Sequence, residues 1–139
     1  MDLDKDTINR LIQTAKQAMA KAYVPVSGFP VGAALLTDAG DIFEGCNTES
    51  IIAGLGVCAE RSAVDHAVIH GVRNFTAVAV ASTREQPLFP CGACRQYLSE
   101  FAQKGGVDPM VYAVGANGEI RAMRLSQLIP DSFGPCDME

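Results

Sequence analysis

The feature that most constrains this chain is a set of three cysteines: Cys58, and the pair Cys91 and Cys94 three residues apart. Each group opens a segment with helical apolar spacing. Ala63, Val64, Ala67 and Val68 follow Cys58, and Leu98 and Phe101 follow Cys94. A pair at i and i+3 puts both sulfurs on one side of a first helical turn. A fold that uses all three sulfurs together must therefore bring two helix N-termini side by side. Such ends suit thiolates, because unpaired N–H groups and the positive dipole end lower thiol pKa values. Each such interaction is worth about 0.3–1 kcal/mol when exposed and up to about 2 kcal/mol when partly buried.

The rest of the chain supplies the scaffold for that meeting. Ile8, Leu11, Ile12, Ala15, Met19 and Ala22 make one apolar helix face over roughly residues 5–22, and Pro25, Gly28 and Pro30 end it. Val31 to Thr37 reads as a buried strand. The turn at residues 38–41 joins it to a second strand, Ile42 to Asn47, as a hairpin. After a loop marked by Gly54 and Gly56, a helix is predicted over Cys58 to His70, stopping at Gly71. Phe75 to Ala81 is a strand, Pro87 and Pro90 punctuate a loop, and Cys91 to Gln103 is a helix ending at Gly105-Gly106. Val111 to Gly115 and Glu119 to Met123 read as strands around the turn 116–118, and Leu125 to Leu128 as a short closing helix. The order α-β-β-α-β-α-β-β-α predicts one α/β domain over residues 1–139, a three-layer α/β/α sandwich with a five-stranded mixed sheet. In such a sheet, two βα units place helix N-termini together at the carboxyl end of the strands, where ligand crevices form.

Composition narrows the function classes. The chain has 139 residues, 48% hydrophobic and 19% charged, enough for a real core and unlike a disordered chain. Lys and Arg number 11 against 16 Asp and Glu, a net charge of -5. That balance argues against nucleic acid as a partner, since phosphate neutralisation needs a basic surface. No apolar run approaches the ~20 residues of a membrane span. The start, Met1-Asp2-Leu3-Asp4-Lys5, lacks the basic and apolar regions of a secretory signal. A soluble protein of the cytoplasm, without a membrane partner, is therefore expected. The five cysteines, an odd count, make a poor disulfide framework there.

Three sulfur ligands leave the fourth tetrahedral position of a zinc ion open, and an open position is the mark of a catalytic site. Glu60 lies two residues beyond Cys58, placed to take a proton from a zinc-bound water. Alternatives remain at this point. Cys91 and Cys94 alone fit a redox pair. Cys46 or Cys136 as a fourth ligand would make the zinc structural, although both read more simply as small, partly buried hydrophobes. His66 and His70 are spaced like a zinc pair but lie late in their helix, where a surface or C-terminal-dipole role is the simpler reading. Three thiolates against one zinc leave a charge of about -1. Arg61, and Arg95 less directly, could draw off some of it by hydrogen bonding; for Arg61 a surface ion pair is the competing reading.

The run Cys58-Ala59-Glu60, with Pro90-Cys91-Gly92-Ala93-Cys94, resembles the zinc-dependent nucleoside and nucleobase deaminases. Cys58 stands where polynucleotide and nucleotide deaminases usually carry His, which points to the nucleoside branch. The resemblance extends over essentially the whole chain. The segment 23–33, the triplet Asn47-Thr48-Glu49 and the tail 128–135 are similar to the small homotetrameric cytidine deaminases. That resemblance implies zinc as cofactor, held by Cys58, Cys91 and Cys94. It implies Glu60 as catalytic proton shuttle, and hydrolysis of cytidine or deoxycytidine to uridine or deoxyuridine and ammonia. It implies that Phe29 lies against the pyrimidine, that Asn47 and Glu49 hold ribose hydroxyls, and that Ala59 offers backbone groups to the base. It further implies a homotetramer in which Phe133 reaches a neighbouring site. A carboxylate at Glu49 and the negative net charge disfavour a 5′-phosphate, so a nucleoside is preferred to a nucleotide.

One position departs from the pattern. Ala53 stands where the family often has an aromatic residue contributed across a subunit contact. A roomier pocket could serve another cytosine nucleoside, such as a blasticidin-S-type compound. A non-catalytic zinc module for protein interaction is the reading from a different class; it requires four protein ligands.

Overall fold

The computed structural model describes residues 3–139. The reading of the first residues as free of a secretory signal falls partly on residues 1 and 2, outside the described residues. Helix α1 spans Lys5–Met19, capped by Asp4, whose Oδ1 accepts from the Thr7 amide at 2.7 Å. Strands β1 (Val31–Thr37) and β2 (Ile42–Cys46) form the expected antiparallel hairpin. Helix α2 (Ala59–Ile69), strand β3 (Phe75–Ser82), helix α3 (Gly92–Gly105), strands β4 (Met110–Val114) and β5 (Ile120–Arg124), and the single turn of α4 (Leu125–Leu128) complete the order. The five strands make one sheet, β2-β1-β3-β4-β5, in which only β3 and β4 run parallel. That parallel pair needs a crossover, and α3 is the crossover helix.

Helices cover both faces of the sheet. On one face, Leu11, Ile12 and Ala15 of α1 pack on Ala34, Leu36, Ala77, Ala79 and Ala81. On the other, Ala59, Ala63, Val64, Ala67 and Leu98 from α2 and α3 pack on Ala33, Leu35, Val78 and Val80. Strand alternation sorts these two sets, so the buried strands β1 and β3 read as continuous apolar runs. Gly45 of β2 lies directly under α2. A Cβ there would fall on the backbone of Ala59 and Ala63. The helix bearing Cys58 and Glu60 can sit this close to the sheet only over a glycine.

Two details differ from the sequence expectation. Helix α1 ends at Met19 and not near residue 22. The Lys21 and Ala22 amides tighten onto Ala18 and Met19, three residues back, and Tyr23 then pairs with Asn47 and Glu49 beyond β2. Main-chain pairing to the sheet edge outcompetes another helical turn. The other difference is a pair of 3-10 turns, Ala53–Leu55 and Pro135–Met138, in segments that carry no helical periodicity. Among the described residues, no helix is long and apolar enough to cross a membrane.

Candidate metal centre and substrate cavity

Cys58 and Cys91 occupy the N-cap positions of α2 and α3, in extended backbone conformations, and neither side chain caps its own helix. Both sulfurs are thereby free to face each other. Cys58 Sγ lies 3.9 Å from Cys91 Sγ, which lies 3.6 Å from Cys94 Sγ. All three sulfurs lie within 4.8 Å of one another. Zinc–sulfur bonds of about 2.3 Å in tetrahedral array separate sulfurs by about 3.8 Å, so the trio fits one zinc ion. Cys46 and Cys136 do not join it. The Cys46 thiol donates to the Lys21 carbonyl at 3.7 Å, and Cys136 is exposed. The four-sulfur structural site thus finds no fourth sulfur among the described residues.

Glu60, in the first turn of α2, is 4% exposed. Burial pushes its carboxyl above the ordinary range, against the opposing pull of its own backbone amide, Arg61 and Cys94. A carboxyl raised in this way holds a proton more readily than an exposed one, as a proton carrier requires. Burial also pushes the Cys94 thiol up, reinforced by Glu60 and Cys58. At Cys91 burial pulls the same way, but hydrogen bonds with the Cys94 backbone and side chain and with Cys58 outweigh it, and its thiol lies below the ordinary value. Arg61 Nη2 donates to Cys58 Sγ at 3.6 Å, and this bond leads the causes that raise the Arg61 pKa. The guanidinium therefore faces sulfur, not a surface carboxylate.

A cavity of about 430 Å³ opens beside the sulfurs. Its lining includes Phe29, Asn47, Cys58, Ala59, Glu60 and Cys91, so six of the expected site residues meet at one place. Phe29 enters on a turn in which Gly28 adopts φ +67° and its amide bonds the Val24 carbonyl at 3.0 Å. Asn47 secures the residues around it. Its Oδ1 accepts from the Val31 amide at 2.8 Å and its Nδ2 donates to the Phe29 carbonyl at 2.9 Å. Glu49 lines a neighbouring pocket of about 370 Å³ together with Ala53 and Arg61. Its Oε1 accepts from the Val26 and Ser27 amides, and its Oε2 from the Ser27 hydroxyl at 2.6 Å. These bonds, led by the Ser27 hydroxyl, hold the Glu49 carboxyl below its ordinary range. Phe133 lies in the tail, 61% exposed.

One expectation takes a different form. Arg95 does not reach sulfur; its Nε donates to the Pro90 carbonyl at 2.6 Å and its Nη1 to the Leu128 carbonyl at 2.8 Å. It clamps the loop before α3 instead of drawing charge from the thiolates. His66 and His70 are exposed, as expected; His66 bonds the Glu44 carbonyl through Nδ1, His70 the His66 carbonyl, and both rings pack against Phe43. Leu88 and Phe89, which sequence reasoning passed over, line the cavity. The available signal was an apolar pair inside a loop, directly before the Pro90-Cys91 helix start.

Comparison with known proteins agrees with this geometry. The family model for the cytidine and deoxycytidylate deaminase zinc-binding region matches residues 5–108. A cytidine deaminase of Sporosarcina psychrophila is 44% identical over 131 residues, covering 94% of each chain. One from Halalkalibacterium halodurans is 42% identical over 128 residues, covering 92% of this chain and 95% of its own. Among solved structures, a cytidine deaminase from Burkholderia pseudomallei superposes with TM-score 0.84 at 42% identity, over 90% of this chain and 98% of its own. The Mycobacterium tuberculosis enzyme gives 0.78 at 39% identity, over 96% and 99%.

Proposed function

The chain belongs to the cytidine and deoxycytidylate deaminase zinc-binding family, and we propose that it hydrolyses cytidine and deoxycytidine to uridine or deoxyuridine and ammonia with Glu60 as the proton carrier. It is a zinc-dependent hydrolytic deaminase. The observation that carries the reading is the buried Glu60 carboxylate in one cavity with three converging thiols. Zinc held by Cys58, Cys91 and Cys94 supplies the Lewis acidity that makes a water nucleophilic near neutral pH.

The residues divide the remaining work. Glu60 takes one proton from the attacking water and delivers it to N3 of the pyrimidine, which makes C4 electrophilic. The new C4–O bond forms, Glu60 carries the second proton to the exocyclic amine, the C4–N bond breaks, and ammonia leaves. A single carboxylate moving two protons contributes about 10²–10⁴ in rate. Phe29 lies against the base and Ala59 offers backbone groups to it. Asn47 and Glu49 face the sugar with hydrogen-bonding capacity beyond the loop contacts they already make. Arg61 offsets the surplus charge of three thiolates through its bond to Cys58.

Residues 1–139 act as one zinc domain, a reading supported by the single sheet that joins every strand. We further propose a homotetramer in which Phe133 of one copy completes the pocket of another. The exposed Phe133, Ile51 and Leu55 support this. The absence of a nucleic-acid partner accords with the net charge of -5. The test is an ultraviolet assay over cytidine, deoxycytidine, cytidine 5′-monophosphate and blasticidin S, with and without a chelator. Turnover of the two nucleosides, abolished by chelation and restored by zinc, is expected. Preference for the nucleotide or for blasticidin S would overturn the substrate reading, and an active monomer in sedimentation the assembly.

A further inference from the structure

The cavity contains a second aromatic ring with no assigned part. Phe89 lines it together with Phe29, on the loop that runs from β3 to α3. That loop is pinned along its length. The Ala116 and Asn117 amides donate to the Arg84 and Glu85 carbonyls at 2.8 and 3.3 Å, tying it to the β4–β5 turn. At its other end Arg95 holds the Pro90 carbonyl. Phe89 is half-buried against the core of the α2–α3 face. The Arg121 Cζ lies 5.1 Å from its ring centroid, within cation–π range. Strand alternation accounts for that contact. Arg121 shares the face of Met123, which packs on the same core, and Ala113 stands opposite it on β4.

We propose that Phe89 is a specificity-determining wall of the substrate cavity, its ring oriented by Arg121, so that Phe29 and Phe89 together hold the pyrimidine. This deepens the nucleoside reading and rests on it. The physics is that of base–aromatic stacking, which needs a flat π-face held in place and no hydrogen-bond readout. The lining beside the rings is apolar, with Val31, Val80 and Leu88, so a planar, uncharged base is the part of the substrate that fits there. Arg121 lies on the strand edge and restricts the ring through its face.

The experiment is steady-state kinetics on zinc-loaded Phe89→Ala, Phe89→Leu, Phe89→Tyr and Arg121→Gln, with uridine affinity measured by calorimetry on the same proteins. Phe89→Ala is expected to raise KM for cytidine about ten- to a hundredfold with a smaller change in kcat, and to weaken uridine by a similar factor. Phe89→Leu, with bulk but no π-face, falls between, and Phe89→Tyr restores wild-type KM. Arg121→Gln raises KM about two- to fivefold through the lost cation–π contact, with only a small fall in thermal stability. KM and uridine affinity within twofold of wild type in Phe89→Ala, or in both Phe89→Leu and Arg121→Gln should Phe89→Ala fail to fold, would overturn the inference. Wild-type protein that does not turn over cytidine would instead sink the functional reading, and uridine affinity in the variants would then decide the ring contact alone.

Discussion

The metal corner and the loop rim of the cavity are built by opposite means. The corner stands on the first turns of two helices, α2 and α3, fixed by close packing of α2 over Gly45 and by a buried core. Its three sulfurs and Glu60 all come from one chain, and two of the four groups, Cys94 and Glu60, are buried. The rim, residues 23–30 and 47–57, contains hardly any regular structure. Polar clips hold it: Asn47 across Phe29 and Val31, and Glu49 across Val26 and Ser27. It also leaves Val26, Ile51, Ile52 and Leu55 exposed. On the proposed function, chemistry that needs sub-ångström placement would rest on rigid element ends, and recognition on loops that hydrogen bonds can tune.

Changes at the corner are expected to act on turnover, and changes at the rim on substrate capture. The largest effect belongs to Glu60→Gln, expected to keep zinc and fold while kcat falls by about 10²–10⁴; activity close to wild type with full zinc content would dissolve the distinction. Next comes Gly45→Ala. Its methyl group collides with the α2 backbone, so a loss of about 1–3 kcal/mol is expected in urea denaturation, together with weaker zinc retention. Arg61→Ala is expected to lower zinc affinity or activity by about 10–100-fold, read by competition with a chromophoric chelator; unchanged metal affinity and rate would remove its part.

At the rim, Asn47→Ala strands the Val31 amide and frees the Phe29 carbonyl, and about a tenfold rise in KM with a smaller change in kcat is expected. A kcat loss that matches the KM change would mean that the rim shares the work of the corner. The smallest effect is that of pH on the Glu49 clip. Its folded-state pKa is depressed, so the clip is fully present above the ordinary glutamate range and is lost only as pH falls through the lowered value. The ratio of KM in Glu49→Gln to that in wild type is therefore expected to stay level from neutral pH down through that ordinary range and to close only in stronger acid, since Glu60 and the cytosine ring titrate alike in both proteins. A ratio that closes from neutrality downward would contradict the carboxylate clip.

Local signals carried much of the outcome. Apolar periodicity and Gly/Pro punctuation located the regular elements to within a few residues, because each rests on contacts between near neighbours in sequence. The overestimate at α1 came from a long-range bond, Tyr23 to the β2 edge, that no local pattern contains. Arg95 illustrates the same limit within the site. Its place beside Cys94 suggested sulfur, and the fold gave it two carbonyls, one of them 33 residues away.

By itself the sequence determined which thiols and which carboxylate are available, the spacing of Cys91 and Cys94 within the first turn of α3, the place of Glu60 two residues beyond Cys58, and the order of strands and helices. These follow from bond geometry and helix pitch, which act over a few residues. Only the tertiary structure decided that the α2 and α3 N-termini meet with sulfurs 3.9 Å apart, that Asn47 and Glu49 clip the Phe29 loop, and that Phe89 enters the cavity under Arg121. Those outcomes depend on how close the helices lie on the sheet and on which loops then face one another, and packing sets both between residues far apart in the chain.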